Sequence, residues 1–457
     1  MVEEEKLPGA TAPDESVWTQ DLELVEPLYR IDERPERLWE SVLYGWQHTL
    51  VDISPFILPL AVAAALGLGE AGSASMINAC LVAMGLATLV QTTIGNRLPI
   101  IQGPSATLTA TMAPLASTLG GPAMWGGIFI GGVLEMLIGA SRILGALRRF
   151  FPPPVAGAVV LVIGLSLGQL AARLAVGDGS PRTIFYAGAV LALVFVLQTL
   201  GSRLFSGLIS RAAIFIAIWT VGLGLGGLLG DVSWSLVADA PWLALPSVFP
   251  YGGPGFGWQW SLAAALVLFA GYVGSMVESL GDYAATCAVA GERFRVSHMN
   301  RGITAEGFGS VLASALGAVP CTSYTQNIGI LATTRVASRF VVQLAAVILV
   351  LYGLCPKFGA LLVAIPRSVL GGVFVLICGS IAISGIRLVA SAPPSPRMSL
   401  VIGTTLIVAL GLPSHADKLG LPQGLELLVG NSVVLAVLLA VGLNALLGGE
   451  SADESAS

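Results

Sequence analysis

Fourteen mainly apolar stretches follow one another along the chain, each long enough to span or half-span a bilayer needing roughly 20 residues. They run near 44–67, 76–94, 98–118, 123–147, 154–174, 183–203, 211–230, 258–287, 302–318, 322–338, 340–363, 369–389, 397–413 and 427–447, with short polar connections between them. The pattern predicts an all-α polytopic membrane protein. Two stretches, the third and the tenth, are interrupted. From Pro320 the chain reads P-C-T-S-Y-T-Q-N-I-G, too polar for lipid contact and too apolar for a soluble loop. Pro320 blocks a helix, Cys321 to Tyr324 suit an extended backbone, and Thr325 or Gln326 can open a new helix. From Asn96 the chain reads N-R-L-P-I-I-Q-G-P-S-A-T, where Gly103 and Pro104 break the segment just before Ser105, a good helix cap. Irregular backbone at membrane depth is tolerated only where protein or a cavity covers it, and a half-helix N-terminus there directs free N–H groups at a ligand. Both breaks are therefore candidate binding sites.

The two breaks also suggest a repeat. Laying Pro99 over Pro320 sets Ser105 opposite Gln326, and P-P-P-V-A-G-A-V-V-L-V-I from Pro152 matches P-R-S-V-L-G-G-V-F-V-L-I from Pro366. Fourteen transmembrane segments then divide into two halves of seven, and an odd number per half makes the halves inverted repeats. Of the 22 Lys and Arg residues, only Arg173, Arg182, Lys357, Arg367 and Lys418 fall on the side opposite the termini, leaving seventeen on the terminal side. By the positive-inside rule both termini are cytoplasmic.

Composition agrees with this reading and excludes the soluble classes. The chain is 55% hydrophobic and 11% charged, where a soluble domain carries about 25% charged residues. The net charge of −5 says little about partners, and nothing points to nucleic acid. The five cysteines are scattered without disulfide or zinc spacing. No phosphate-binding loop, nucleophile elbow or metal-ligand cluster is present, so ATP drive and membrane enzymology lack support and no cofactor is expected.

Against that apolar background the ionisable residues inside the segments stand out, because each is costly there and is functional by default. His48 and Asp52 lie four residues apart on one face of the first segment, although Gln47 and His48 also suit hydrogen bonding between helices. Glu135 in the fourth segment reads as a structural partner. In G-Y-V-G-S-M-V-E-S-L-G-D-Y, Glu278 and Asp282 share a face at i,i+4, and two carboxylates so close in a low dielectric do not both ionise readily, which suits proton coupling. Glu306 in the ninth segment adds a third carboxylate.

Gln326-Asn327-Ile328-Gly329, followed by Thr334 and Arg335, resembles the signature of the nucleobase–ascorbate transporters, the nucleobase:cation symporter-2 family, in its xanthine and urate permease branch. Gln47-His48, Gln102 to Ser105 and Glu278 to Tyr283 match other motifs of that family, and the resemblance runs from Leu43 to Leu447. It implies a core domain of spans one to four (44–147) and eight to eleven (258–363). A gate domain would hold spans five to seven (148–230) and twelve to fourteen (364–447). Cytoplasmic tails (1–43 and 448–457) and an extracellular connection (231–257) complete the division. The implied activity is symport of a purine nucleobase of xanthine or urate type with H⁺, or with Na⁺ as the other candidate ion, by elevator-like alternating access. The implied setting is a cell membrane, inner or plasma, with a homodimer through the gate and membrane lipid as the other partner.

Carried over residue by residue, Glu278 and Gln326 would bind the base and Asn327 would support them, with Ser105, Ala106 and Tyr324 completing the substrate site. Asp282, His48, Glu306 and Glu278 itself would serve coupling. Two positions depart from the family. Ala106 stands where members carry a stacking aromatic, which leaves Tyr324 as the nearest ring, and Asp52 stands where they carry an apolar residue and adds a candidate ion site. The competing readings are transport of a pyrimidine such as uracil or another small organic anion, and an uncoupled anion channel or exchanger of the same architecture.

Overall fold

The computed structural model describes residues 26–52, 56–144, 152–204, 213–250, 257–391, 393 and 395–447. The chain is mostly helical. It opens with α1 (Leu38–Asp52), α2 (Ile57–Ala65) and α3 (Glu70–Thr93), then a three-residue strand β1 (Gln102–Pro104) and the long α4 (Ala106–Ser141). Next come α5 (Pro153–Val176), α6 (Pro181–Leu204), α7 (Ala213–Leu228, π-helical over Ile218–Leu225) and the short α8 (Trp234–Asp239). The second part runs α9 (Leu262–Val289), α10 (Val296–Leu316), β2 (Cys321–Ser323), α11 (Thr325–Thr334), α12 (Arg339–Gly353) and α13 (Pro356–Ala364). It closes with α14 (Arg367–Val389), α15 (Pro396–Gly411), a 3-10 stretch (Leu412–Leu419), α16 (Gln423–Val429) and α17 (Ser432–Leu446).

Among the described residues, seven helices are long and apolar enough to cross a membrane, and an eighth crossing arises if α12 and α13, bent by 77°, form one span. The fourteen apolar stretches map onto more elements than that because several are cut. The first is divided between α1 and α2. The third and fourth share α4, whose Gly120 has φ 79 and ψ 171, a conformation that only glycine adopts freely and that splits the helix in two. The tenth contributes only β2 and the ten-residue α11. Residues 1–25 and 448–457 of the terminal tails and the side chain of Asp52 lie outside the described residues.

Small residues set the helix spacing. A Cβ on Gly307 of α10 would lie 2.6 Å from the Gly132 carbonyl of α4, so those two backbones touch. A Cβ on Gly157 of α5 would lie 2.6 Å from Val389 N at the far end of α14, and one on Gly371 of α14 would overlap Ala175 N at the far end of α5. The helices α5 and α14 thus run antiparallel in close contact over their full length, and each segment matched in sequence packs on the C-terminal half of the other helix. Buried apolar side chains form two main cores. One draws chiefly on α3, α4, α9, α10 and α12, the other on α5, α6, α7, α14, α15 and α17.

Candidate functional site

The strands β1 and β2 pair antiparallel inside the first core, with Gln102 opposite Ser323, Gly103 opposite Thr322 and Pro104 opposite Cys321. Pairing answers the physical problem that irregular backbone raises among apolar helices, since each strand satisfies the other's peptide groups. Beyond the ladder, Ser105 N donates to Pro320 O at 2.8 Å and Tyr324 N to Ile101 O at 3.0 Å. Gln102 N donates to Thr88 Oγ1 of α3 at 2.9 Å. Gly103 has no side chain because the Tyr324 ring lies against it, and the Tyr324 hydroxyl donates to Pro104 O at 3.3 Å.

Each strand runs directly into a helix. Ser105 caps α4, its Oγ accepting from Leu108 N at 3.2 Å, and α11 starts at Thr325 after the extended Tyr324. Because the strands are antiparallel, α4 and α11 leave in opposite directions from caps, Ser105 and Tyr324, about 14 Å apart, four residues of extended chain and one strand spacing. The helix starts match Ser105 with Tyr324. The alignment on Pro99 and Pro320 is therefore two residues out of step, because the two prolines lie at different distances from the helices they precede.

The helix α9 crosses this strand pair and supplies the carboxylates. Thr107 Oγ1, in the first turn of α4, donates to Glu278 Oε2 at 3.0 Å. One turn on, Asp282 accepts from Ser323 Oγ at 2.8 Å and from Thr325 Oγ1 at 2.7 Å, so its two oxygens span the junction of β2 and α11. Ser279 connects the network. Its hydroxyl lies 2.9 Å from Thr322 Oγ1, accepts from Ser323 Oγ at 3.1 Å and donates to Glu306 Oε2 of α10 at 2.7 Å. The other Glu306 oxygen accepts from Tyr283 OH at 2.6 Å, which in turn accepts from Gln91 Nε2 of α3 at 2.8 Å. On the far side of α11, Asn327 Oδ1 meets His48 Nδ1 at 2.9 Å, which ties α11 to α1.

The candidates divide accordingly. Asp282 and Glu306 belong to this hydrogen-bonded island, and Glu278, Ser105 and the Asn327–His48 pair border it with bonds of their own, while Gln326 sits exposed on the first turn of α11 beside Thr325. Ser105 is fully buried, its Oγ 3.5 Å from Ser275 Oγ. Ala106 is buried among the side chains of the second core, so it lies where the two cores meet. The Tyr324 ring is turned to the strand pair. A cavity of about 510 Å³ lies farther along α4, lined by Pro114, Leu115, Thr118, Val267, Glu426 and Asn431 among others, and reaches none of the candidates. Thr107, Ser279, Ser323 and Thr325 are not site candidates from the sequence, although all four fall inside its motifs and Thr325 is expected there only as a helix start. Hydroxyls crowded at membrane depth beside carboxylates were the available signal. Replacing Thr325 with Val removes one of the two donors to Asp282 while keeping shape, and transport is expected to fall about tenfold, the order of one lost hydrogen bond to a charged group. The measurement is initial uptake rate normalised to protein in the membrane.

With the geometry in hand, comparison with known proteins identifies the family. The Xan_ur_permease model, described as a permease family, matches residues 39–418. The uric acid permease PucK of Bacillus subtilis is 33% identical over 89% of this chain and 95% of its own length. The xanthine permease XanQ of Escherichia coli is 31% identical over 94% of this chain and 95% of its own. In fold, the transmembrane domain of a cyanobacterium bicarbonate transporter, BicA, aligns over 90% of this chain and 99% of its own with a TM-score of 0.56 at 17% identity. The chain therefore belongs to the Xan_ur_permease family of permeases and is a multi-pass membrane transporter, not an enzyme.

Proposed function

We propose that the protein takes up a purine nucleobase of xanthine or urate type together with H⁺. The observation that carries this reading is the junction of the two opposed helix N-termini, where the Glu278 carboxylate stands one turn from Asp282 and the Gln326 amide opens α11. A planar base presents alternating donors and acceptors. A carboxylate can accept from its ring N–H groups, an amide can pair with a neighbouring N–H and carbonyl, and two positive helix ends favour a partly anionic ring such as urate. The names of PucK and XanQ support the same substrate class.

The wider reading is an elevator. Fourteen membrane segments in two inverted sets of seven form a substrate-carrying core (44–147 and 258–363) and a gate (148–230 and 364–447), joined outside by 231–257. The two separate apolar cores and the antiparallel contact of α5 with α14 support this division. The core moves against the gate, two copies join through their gates, and both termini lie on the cytoplasmic side of the cell membrane. Core motion carries the base across, and a proton on the α9 carboxylates ties it to the gradient.

Substrate choice is tested by competition. Unlabelled xanthine, urate and uracil are titrated against labelled xanthine in the wild type and in Gln326→Glu. The variant replaces a donor–acceptor amide with an acceptor-only group, so its ranking of bases should shift by about tenfold or more, the discrimination typical of a mismatched hydrogen bond. An unchanged ranking removes Gln326 from the site, and displacement by uracil alone favours the pyrimidine alternative.

A further inference from the structure

Two carboxyl groups, Glu135 and Glu306, lie in the contact between α4 and α10, and only Glu306 is a coupling candidate from the sequence. Glu135 is 1% exposed and Glu306 is 0% exposed. Gly132 and Gly139 of α4 bracket Glu135 by one turn on each side. A Cβ on Gly132 would lie 3.0 Å from Gly307 O and one on Gly139 2.5 Å from Thr304 N, so the two backbones touch above and below the Glu135 side chain. Glu135 thus enters the contact level with Glu306, with Ser310 facing it from α10 and the hydroxyls of Tyr272 and Tyr283 within electrostatic reach from α9. The three ion pairs among the described residues, Arg182–Asp231, Arg295–Glu292 and Arg339–Asp32, all lie elsewhere, so no described cation pairs with either carboxyl.

The two carboxyls are served unequally. Glu306 accepts a hydroxyl hydrogen bond on each oxygen, from Ser279 and Tyr283, as an anion requires. Glu135 Oε2 completes no hydrogen bond of good geometry, and Ser310 Oγ is the only hydroxyl set near the carboxyl on α10 among the described residues. A carboxylate buried with an oxygen short of a donor beside a second carboxylate is costly, whereas a protonated carboxyl is itself a donor that needs only one acceptor nearby.

We propose that Glu135 is a further proton-binding residue of the transport core, sharing one proton with Glu306 so that the pair carries a single negative charge. The proton passes between their oxygens and no other bond changes. Through Ser279 and Ser323 the charge state of Glu306 is felt at Asp282, so Glu135 acts on the site through Glu306 and does not touch the base. This rests on the proton-symport reading above and adds a proton site to it.

The test uses Glu135→Gln, which keeps shape and removes the exchangeable proton, in proteoliposomes with labelled xanthine and in infrared difference spectra. Gradient-driven accumulation should fall at least about tenfold, xanthine counterflow should fall less than about threefold, and Glu135→Asp should recover most of the accumulation. The carbonyl band of a buried protonated carboxylic acid should be present in the wild type and missing in Glu135→Gln. Wild-type accumulation by Glu135→Gln would overturn the coupling role, and a carbonyl band that survives the substitution would overturn the proton assignment. If Glu135→Gln does not reach the membrane, the same band is followed in Glu135→Asp, where an unshifted frequency counts against the proposal. If the wild type accumulates no xanthine under any gradient, the symport reading fails by itself and the infrared band still decides the protonation of Glu135.

Discussion

Replacing Glu278 with Gln is expected to lower uptake about 100-fold, the order seen when one partner of a buried, charged hydrogen-bonded pair is lost, while the chain still inserts and folds. The substitution preserves volume, and the new amide oxygen can still accept from Thr107 Oγ1, so packing between α9 and α4 is retained. What disappears is the negative charge beside Asp282 and the capacity to take up a proton. Both are central to the proposed site, because the carboxylate is the acceptor for the ring N–H groups of the base and a candidate carrier of the coupled proton. The readout is initial uptake of labelled xanthine normalised to monodisperse protein in detergent. Full uptake by a well-folded Glu278→Gln variant would rule out both roles.

The largest effect on folding is expected from Gly307→Val. An added Cβ would stand 2.5 Å from Met136 N and 2.6 Å from Gly132 O, both backbone atoms of α4 that no side-chain rotation can move away. The branched side chain must force α10 from α4, break the contact that encloses Glu135 and Glu306, and disturb the hydroxyl bonds of Glu306 to α9. Overpacking of this kind costs about 3 kcal/mol. Monodisperse yield from membranes should collapse and thermal stability should drop by several degrees. Gly329→Val is the control, since a Cβ there meets nothing within 4 Å. Equal yields from the two variants would contradict the close contact of α4 and α10.

Much of this arrangement is legible in the sequence because the membrane penalises polarity. Glu278, Asp282 and Glu306 stand out only because their neighbours are apolar, and the structure joins Asp282 and Glu306 in one hydrogen-bonded island with Glu278 one turn away on α9. The two breaks are equally plain, since Pro104 and Pro320 cannot continue a helix, and each break contains a short strand. What cannot be read is which side chains meet across the fold. Nothing local says that Ser279 reaches Glu306, that His48 reaches Asn327, or that Gln102 lies opposite Ser323, because these partners are 27, 279 and 221 residues apart. The two-residue error in aligning the breaks has the same origin, as the turn before each strand differs in length and only the strand pairing fixes the register. Tyr324 is a similar case. Its ring suits stacking on a base, but the bare Gly103 backbone on the partner strand takes it up.

The central claim is that the island around Glu278 and Asp282 ties a nucleobase to a proton. It is tested most directly by accumulation of labelled xanthine and urate in proteoliposomes of the wild-type protein, with an inward proton gradient, with an inward Na⁺ gradient and with neither. The account predicts accumulation above the external concentration with the proton gradient alone, abolished by a protonophore. Equal entry under all three conditions, or accumulation driven by Na⁺ alone, would contradict it.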